Sequence, residues 1–203
     1  MRPRAPFCPR CFASISGTAC SGCGLRFIPR GNLLDVLGEA ERERRAGEVE
    51  SFYTDSPFPG YAPGDDGALL IDRCQRSGFL AALDQSLPLD ARFLDVGCGT
   101  GQIPAFLALR SPGRTILGLD GCRASLTLAE EFRERAKLDN LQFARADLFE
   151  LPVASESFDY VSSRGVVHHT PDPRRAVECV ARCVAPGGFL VLGFYETQAR
   201  AFH

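Results

Sequence analysis

Residues 93–104 read Phe-Leu-Asp-Val-Gly-Cys-Gly-Thr-Gly-Gln-Ile-Pro, and this short segment is the most informative one in the chain. An apolar run carries Asp95, and glycines follow at positions 97, 99 and 101 before a helical pattern begins. Glycine has no Cβ atom, so it lets a strand turn sharply and lets a ligand lie against backbone N–H groups. Unpaired N–H groups also gather where a helix starts. The segment therefore predicts a doubly wound α/β sheet that holds a nucleotide-like ligand at its strand ends.

The spacing of these glycines differs from the dinucleotide-binding fingerprint, G-x-G-x-x-G. The third glycine of that fingerprint would fall on Gln102 or Pro104, depending on the register. The pattern present is D-x-G-x-G-x-G, which resembles the first motif of class I S-adenosylmethionine (SAM)-dependent methyltransferases. In that family the strand-end acid and the glycine turn hold the methionine part of SAM. The resemblance places in this part of the cofactor site Asp95, Gly97, Cys98, Gly99 and Gly101.

Three later segments match the same family in the same order. Residues 115–120 read as a second strand ending in Asp120, which is placed to accept hydrogen bonds from ribose hydroxyls. A helix-capping role is the alternative for Asp120. A third strand over 141–146 ends at Asp147, which the resemblance places beside the adenine ring; a turn role is its alternative. Residues 158–173 resemble the fourth strand and the loop that closes over the reacting methyl group, and 185–194 resemble the turn into the fifth strand.

The resemblance covers about residues 90–196. It also implies a candidate catalytic base and further cofactor-binding residues. His169, and after it His168, could take a proton from the methyl acceptor because histidine titrates near neutral pH. A hydrogen-bonded loop histidine without catalytic role is the alternative. The remaining cofactor-binding residues are expected to be Asp120, Gly121, Ala146, Asp147, Leu148, Ser163 and Arg164.

The composition is typical of a small globular protein and argues against a membrane protein or a general polyanion binder. The chain has 203 residues, 45% of them hydrophobic and 24% charged, which fits one globular domain with a small appendage. A net charge of −2 excludes binding of polyanions by bulk charge. No apolar run approaches the roughly 18 residues that span a bilayer, so no membrane partner is expected. The absence of a secretory pattern and the odd count of nine cysteines favour reduced thiols or metal ligands in the cytoplasm.

Two C-x-x-C pairs lie near the N-terminus, with eight residues between them. Two such pairs can aim four sulfurs at one point, so the sequence predicts a structural zinc site made by Cys8, Cys11, Cys20 and Cys23. Disulfides are the alternative. The segment resembles the small zinc ribbons that precede some methyltransferase domains, including certain ribosomal RNA guanine methyltransferases. Residues 1–31 carry five arginines and no acid, so this knuckle could contact phosphate or could simply brace the fold.

The chain is expected to divide into a zinc-ribbon-like knuckle (1–35), a helical and aromatic lid segment (36–88) and a SAM-binding core (89–203). Within the lid segment, residues 39–50 read as a charged helix and residues 66–87 as an apolar-faced helix. Residues 51–61 combine prolines with four aromatics, so they are expected to fold over the cofactor or acceptor pocket or to anchor on the core.

The chain stops about seven residues after the fifth strand, whereas a complete class I domain continues with a helix and an antiparallel strand pair. This predicts a truncated piece of a longer protein, or a second subunit in a homodimer, to cover the exposed sheet edge.

Together these observations predict a Rossmann-like, doubly wound, mainly parallel α/β sheet of the class I methyltransferase type, preceded by a zinc knuckle. The predicted function is SAM-dependent methyl transfer, with a small-molecule acceptor favoured. An RNA base methyltransferase guided by the knuckle is one alternative. A non-catalytic, zinc-bearing scaffold that binds SAM is another.

Overall fold

The computed structural model describes residues 7–15, 17–30, 33–37, 58–62 and 64–194. The predicted charged helix over 39–50 and the aromatic stretch 51–57 lie outside these residues, as do Arg2 and Arg4. Among the described helices, none combines the length and the apolar character that crossing a bilayer requires.

Within the described ranges the chain forms one sheet of seven strands in the spatial order β1-β2-β5-β4-β3-β6-β7. Only β1 and β2 pair antiparallel, and all other neighbours are parallel. This confirms the predicted Rossmann-like, mainly parallel sheet. The strands are β1 Ile28–Arg30, β2 Leu33–Asp35, β3 Arg92–Val96, β4 Thr115–Asp120, β5 Leu141–Arg145, β6 Phe158–Arg164 and β7 Val184–Gly193.

Five α-helices and two short 3₁₀ turns connect the described strands. The 3₁₀ turns are Leu148–Glu150 and Val167–His169. The helices are α1 Gly67–Gln75, α2 Gly78–Ser86, α3 Gln102–Arg110, α4 Arg123–Arg135 and α5 Pro173–Ala181.

The single helix predicted over 66–87 is wrong, because two helices occupy that range. Asp66 caps the first by accepting the Leu69 N–H at 2.9 Å. Ser77 then ends the run and caps the second, accepting the Leu80 N–H at 3.4 Å. Serine at an N-cap position satisfies a donor that a continuous helix would pair with a backbone carbonyl, so the chain can change direction there.

The sheet is covered on both faces. Helices α1 to α4 pack on one face, where Phe93, Phe106 and Ile116 are buried in one apolar cluster. The other face carries α5 and the N-terminal cysteine segment, which share a second cluster with Leu94 and Leu117. The short hairpin β1–β2 adds to the sheet beyond β5, so the N-terminal segment is part of the same hydrophobic core.

Candidate active site at the switch point of the sheet

Strand β3 lies between β4 and β6, and the chain runs outward from it in both directions. All these strands are parallel, so their carboxyl ends meet at one edge of the sheet. Ligands of open α/β sheets bind in the crevice where the strand order reverses in this way. The D-x-G-x-G-x-G segment begins with Asp95 in β3, and its glycines directly follow the strand, so the segment lies at that crevice.

The backbone of the glycine turn has conformations that favour glycine. Gly97, Gly99 and Gly101 have φ angles of 78°, 54° and 75°. The N–H groups of Gly97 and Cys98 both donate to the Leu119 carbonyl, at 2.7 and 3.0 Å, which ties the turn to the end of β4. A Cβ atom at Gly97 would overlap the side chain of Val166, so the loop after β6 lies directly against the turn.

Gly101 has a packing role that the sequence did not indicate. It is the N-cap residue of α3, and a Cβ atom there would overlap the Phe143 ring and lie 2.9 Å from the Ala129 Cβ. Its small size lets α3 start close to β5 and α4. A cofactor contact at Gly101 stays a prediction.

Asp120 fastens the glycine turn to the end of β4. Its Oδ2 accepts the Gly99 N–H at 2.8 Å, and its Oδ1 accepts the Cys122 N–H at 2.7 Å. The carboxylate therefore holds backbone on both sides of the crevice, whereas the N-cap residue of α4 is Cys122. Each carboxylate oxygen has a second lone pair, so accepting ribose hydroxyls remains chemically compatible with this geometry.

The other predicted cofactor residues lie close to Asp120 in the sheet. The Ala146 N–H donates to the Asp120 carbonyl at 3.0 Å, and the Arg145 Nε donates to the Gly121 carbonyl at 2.9 Å. Asp147 accepts the Phe149 N–H at 2.8 Å through Oδ1 and so begins the 3₁₀ turn that contains Leu148. The ends of β4 and β5 thus bring these groups together.

Asp95 is the most deeply buried of the three acids, with 4% of its surface exposed. It lies in register with Gly118 of β4 and Ser162 of β6, at the centre of the switch point. Burial raises its pKa to about 7, although the Ser162 hydroxyl and the Arg164 guanidinium counteract the rise and Asp120 adds to it. A carboxylate held there at such a cost is well placed to receive a cationic group.

Residues 58–61, which we call the strap, lie across the glycine turn. The Thr100 hydroxyl donates to the Pro59 carbonyl, and the Gln102 Nε2 donates to the Gly60 carbonyl at 2.9 Å. A Cβ atom at Gly99 would lie 2.6 Å from the Phe58 carbonyl oxygen.

The strap continues into an aromatic contact. The Tyr61 ring stacks on Phe132 of α4, with centroids 4.7 Å apart and planes at 10°. Sequence reasoning placed an aromatic segment near the pocket but did not identify Thr100 and Gln102 as its anchors. Nothing local distinguishes them, because both act on residues about 40 positions earlier in the chain.

The end of β6 and the loop after it carry the residues that the sequence analysis expects near the methyl group and the acceptor. The Ser163 Oγ is buried with no hydrogen-bond partner in the described part of the chain. Arg164 is exposed, and its guanidinium lies 4.2 Å from the centroid of the Phe79 ring of α2. His169 is exposed on the 3₁₀ turn, with its ring centroid 4.1 Å from that of His168. The structure thus brings a cation, two imidazoles and an aromatic ring to this side of the crevice.

The residues present fit a SAM molecule on chemical grounds. A turn rich in backbone donors, a buried acid at its start and a second acid on the next strand offer separate partners for an ammonium group and a ribose. Asp95, the glycine turn and Asp120 would hold the cofactor, and Asp147 would lie at its base end.

A separate cluster forms where the two C-x-x-C pairs meet. The four sulfurs of Cys8, Cys11, Cys20 and Cys23 all lie within 4.8 Å of one another. The Cys8 and Cys23 sulfurs are 3.6 Å apart, and those of Cys11 and Cys20 are 3.4 Å apart. Four thiols so arranged match the donor set of a tetrahedral, structural zinc site.

The chain is similar in sequence and in fold to several known proteins. Residues 94–192 match the family described as a methyltransferase domain. A ubiquinone biosynthesis O-methyltransferase from Paracidovorax citrulli is 34% identical over 125 residues, covering 61% of this chain and 52% of that protein. A trans-aconitate 2-methyltransferase from Deinococcus radiodurans is 36% identical over 113 residues, covering 56% and 41%. The crystal structure of the cyclase SpnF superimposes with a TM-score of 0.50 at 26% identity, covering 61% and 43%. This chain therefore spans about half the length, or less, of these relatives.

Proposed function

We propose that this protein is a SAM-dependent methyltransferase whose acceptor is a small molecule. The match of residues 94–192 to the methyltransferase-domain family supports this proposal. The observation that carries the proposal is the buried Asp95 beside the glycine turn, at the switch point of the sheet. A domain that bound no cation at this position would gain stability from an apolar residue in place of such a carboxyl, so the buried acid supports a bound cation.

The positions of the residues suggest which part of SAM each of them binds. Asp95 accepts hydrogen bonds from the ammonium group of the methionine moiety, and the glycine turn leaves room for its chain. Asp120 receives the ribose hydroxyls, and Asp147 with Leu148 borders the adenine. Bound SAM supplies an electrophilic methyl group on a positively charged sulfur. The protein then mainly has to orient the acceptor, and positioning alone can supply most of the rate acceleration.

The acceptor side is formed by the end of β6 and the loop after it. We assign the backbone of Ser163 and Arg164 to the neighbourhood of the methyl group and His169 to proton removal from the acceptor. The exposed position of His169 lets it exchange a proton with solvent after each turnover. Replacing His169 by Ala should lower kcat about 100-fold or more, while the Kd for SAM stays unchanged. Near-normal turnover in that variant would remove the general base from the mechanism.

A small-molecule acceptor is supported by the names of the relatives, a ubiquinone-pathway O-methyltransferase and a trans-aconitate methyltransferase. The arginine-bearing knuckle supports RNA as the second candidate, because Arg10 and Arg26 are exposed on its outer side. An RNA substrate would bind with an affinity that falls steeply as salt rises from 50 to 200 mM. Salt-independent turnover of a small acceptor would decide for the first candidate.

We further propose that the four clustered cysteines hold a structural zinc ion and that the protein works in the cytoplasm. All nine cysteines are free thiols in the structure, which suits a reducing compartment. Zinc would be bound by four thiolates and would leave no open position for substrate, so its contribution would be to folding and not to methyl transfer.

Calorimetric titration with SAM tests the central claim. We expect saturable binding of one SAM per chain and loss of that binding in Asp95→Ala, with an exposed control such as Asp139→Ala unaffected. The fold also hosts a cyclase, so binding must be followed by detection of S-adenosylhomocysteine with a panel of phenolic and carboxylate acceptors. SAM binding without any turnover would favour the scaffold alternative, and absence of binding would end the proposal.

A further inference from the structure

The connection between β5 and β6 lacks the helix that the neighbouring parallel connections have. Helix α3 joins β3 to β4, α4 joins β4 to β5, and α5 joins β6 to β7. Between β5 and β6 there is only the 3₁₀ turn Leu148–Glu150. Crossover helices normally cover both faces of a parallel sheet. The central strands therefore lack helical cover on the face where this crossover would pack.

The sheet face on which this crossover helix would pack is strongly apolar. Helices α1 to α4 all pack on the opposite face, and α5 contacts β6 and β7 at one side. The residues of β3, β4 and the end of β5 that belong to the apolar cluster of this face are each at most 4% exposed; they are Leu94, Val96, Leu117, Leu119, Ala144 and, just after β5, Ala146. Ala176 and Val180 of α5 belong to the same cluster, but α5 contacts the sheet mainly at β6 and β7, so another segment must help to bury these residues.

The cysteine knuckle supplies that cover. Cys8, Cys20, Leu25 and Phe27 are between 0% and 9% exposed and belong to the same apolar cluster as the central strands. The first and third cysteines thus have both a metal-facing sulfur and a place in the core of the domain. The knuckle occupies the layer that a crossover helix would otherwise form.

Phe12 shows that this packing is specific. Phe12 and Gly24 hold equivalent positions, each following the second cysteine of a pair, with φ angles of 59° and 71°. Each donates its N–H to the carbonyl of the first cysteine of its pair, Cys8 or Cys20, at 2.9 Å. A side chain is strained in this conformation.

The Phe12 ring explains why a side chain is kept there. Its centroid lies 5.5 Å from that of Phe158 of β6, with the planes at 66°, and 5.9 Å from that of Phe7. Edge-to-face contact of this kind adds to the stabilisation from burial. Phe12 therefore attaches the first C-x-x-C pair to the sheet. Gly24, at the equivalent position of the second pair, has no side chain that could do so.

A second attachment reaches the cofactor site. Leu34 and Asp35 of β2 pair with Ala144 and Arg145 of β5. The Arg145 Nη1 lies 3.5 Å from the Asp35 Oδ2, and the same guanidinium donates from Nε to the Gly121 carbonyl. The segment that follows the knuckle is thereby connected, through one buried arginine, to the turn that carries Asp120.

We propose that a zinc ion in the four-cysteine cluster stabilises the methyltransferase domain itself, because the metal-loaded knuckle replaces a crossover helix on the sheet. This inference rests on the zinc site proposed above. Removal of zinc would release the cover of the central strands and loosen the Asp120–Gly121 turn. If the knuckle served only to contact RNA, removal of its metal would leave the stability of the methyltransferase domain unchanged.

Calorimetric unfolding of the full 203-residue chain tests the coupling. Zinc content is measured by mass spectrometry before and after treatment with a chelator. We expect one zinc per chain, a single transition, and a fall in Tm of more than about 10 °C on zinc removal that zinc addition reverses. A zinc-binding chain whose Tm changes by less than about 2 °C would overturn the inference. A chain that binds no zinc would overturn it together with the zinc site.

The variant Phe12→Gly separates docking from metal binding. It keeps all four thiols and suits the backbone conformation, so zinc content should stay at one per chain while Tm falls by about 4–8 °C. The matched control is Ser21→Ala, an exposed change in the same knuckle, for which we expect a Tm within about 1 °C of the parent. Wild-type Tm in zinc-loaded Phe12→Gly would contradict the docking role.

Titration with SAM distinguishes failure of this inference from failure of the proposed function. A zinc-loaded chain that shows the zinc-dependent Tm but binds no SAM would sustain the inference and end the methyltransferase proposal. A chain that binds SAM equally well with and without zinc, at unchanged Tm, would overturn the inference and leave the methyltransferase proposal standing.

Discussion

Asp95 is a single residue whose ionised carboxylate destabilises the folded state at the position where SAM binding is proposed to require it. Its carboxyl group is 4% exposed, and burial is the main reason that its pKa rises from 3.8 to about 7. The folded state therefore prefers the protonated form. Stability is highest below the unfolded-state pKa of 3.8 and falls as the pH rises toward the folded-state value.

The variant Asp95→Asn should thus be more stable than the parent by an amount that grows with pH. Between pH 4 and pH 8 the gain should approach a few kcal/mol, because the full pKa difference corresponds to about 4 kcal/mol. Urea unfolding at pH 4.5, 6 and 8 measures it. The exposed Asp90→Asn serves as the control for the same substitution at the surface. An equal or lower stability of Asp95→Asn at pH 8 would show that the carboxylate is not a burden on the fold.

The same carboxyl group should make SAM binding depend on pH. An ammonium group needs the ionised form of Asp95, so the affinity of the parent should rise between pH 6 and 8 as the carboxyl loses its proton. In Asp95→Asn the affinity should be at least about 10-fold lower and almost independent of pH. Calorimetric titration across this range checks both. A parent affinity that is flat with pH would assign the ammonium group to another partner.

At the scale of elements, the strap is held by two buried side chains of the glycine turn and α3. Thr100 is fully buried and Gln102 is 7% exposed, and both donate to strap carbonyls. Replacing Thr100 by Val or Gln102 by Met should raise the Kd for SAM about 5- to 30-fold, since each removes a hydrogen-bond donor that holds a strap carbonyl. The exposed Gln85→Met is the matched control. Unchanged affinity in both strap variants would mean that the strap does not contribute to the cofactor site.

Arg114 joins the elements below the site. Its side chain is 2% exposed; Nη1 donates to the Asp84 Oδ1 at 2.6 Å, and Nη2 donates to the Leu87 carbonyl at 2.9 Å. Although burial acts to raise it, these bonds and those of Arg110 hold the pKa of Asp84 below its usual value. The arginine thus fixes the end of α2 to the strand β4.

Replacing Arg114 by Met should lower the free energy of unfolding by about 3–5 kcal/mol, because it leaves Asp84 buried with one partner fewer. Arg110 pairs with the same carboxylate at 2.8 Å but is 39% exposed, so Arg110→Met should cost about 1 kcal/mol or less. Denaturant unfolding of both variants at pH 7 makes the comparison. Equal losses would show that burial of the pair does not decide its contribution.

For the whole molecule, β7 is the end strand of the described sheet on one side. Phe189 and Phe194 are 58% and 56% exposed, and the residues between them are only partly buried. An apolar edge strand with open backbone groups promotes pairing with another chain. We therefore expect the 203-residue chain to self-associate at micromolar concentration and Val191→Lys to reduce this. Light scattering measures both, and a monodisperse monomer of the parent would contradict the expectation.

Sequence patterns predicted the parts of this protein that depend on residues close together in the chain. The glycine spacing after Asp95, the acids at the ends of later strands and the C-x-x-C pairs each act within a few residues, so the parallel sheet could be predicted and was confirmed. The helix break at Ser77 was missed because an apolar face continues across it and only the cap reveals the interruption.

The tertiary structure decided the features that depend on which distant segments meet. No pattern in residues 8–23 states that their apolar side packs on β3 and β4, and no local signal gives Thr100 a partner at Pro59 or makes Gly101 a contact for Phe143. The physical reason is that side-chain chemistry and turn geometry are local properties, whereas burial depends on the shape of the whole folded chain. The sequence alone therefore determined the sheet and the chemistry at its strand ends, and folding in three dimensions determined what covers them.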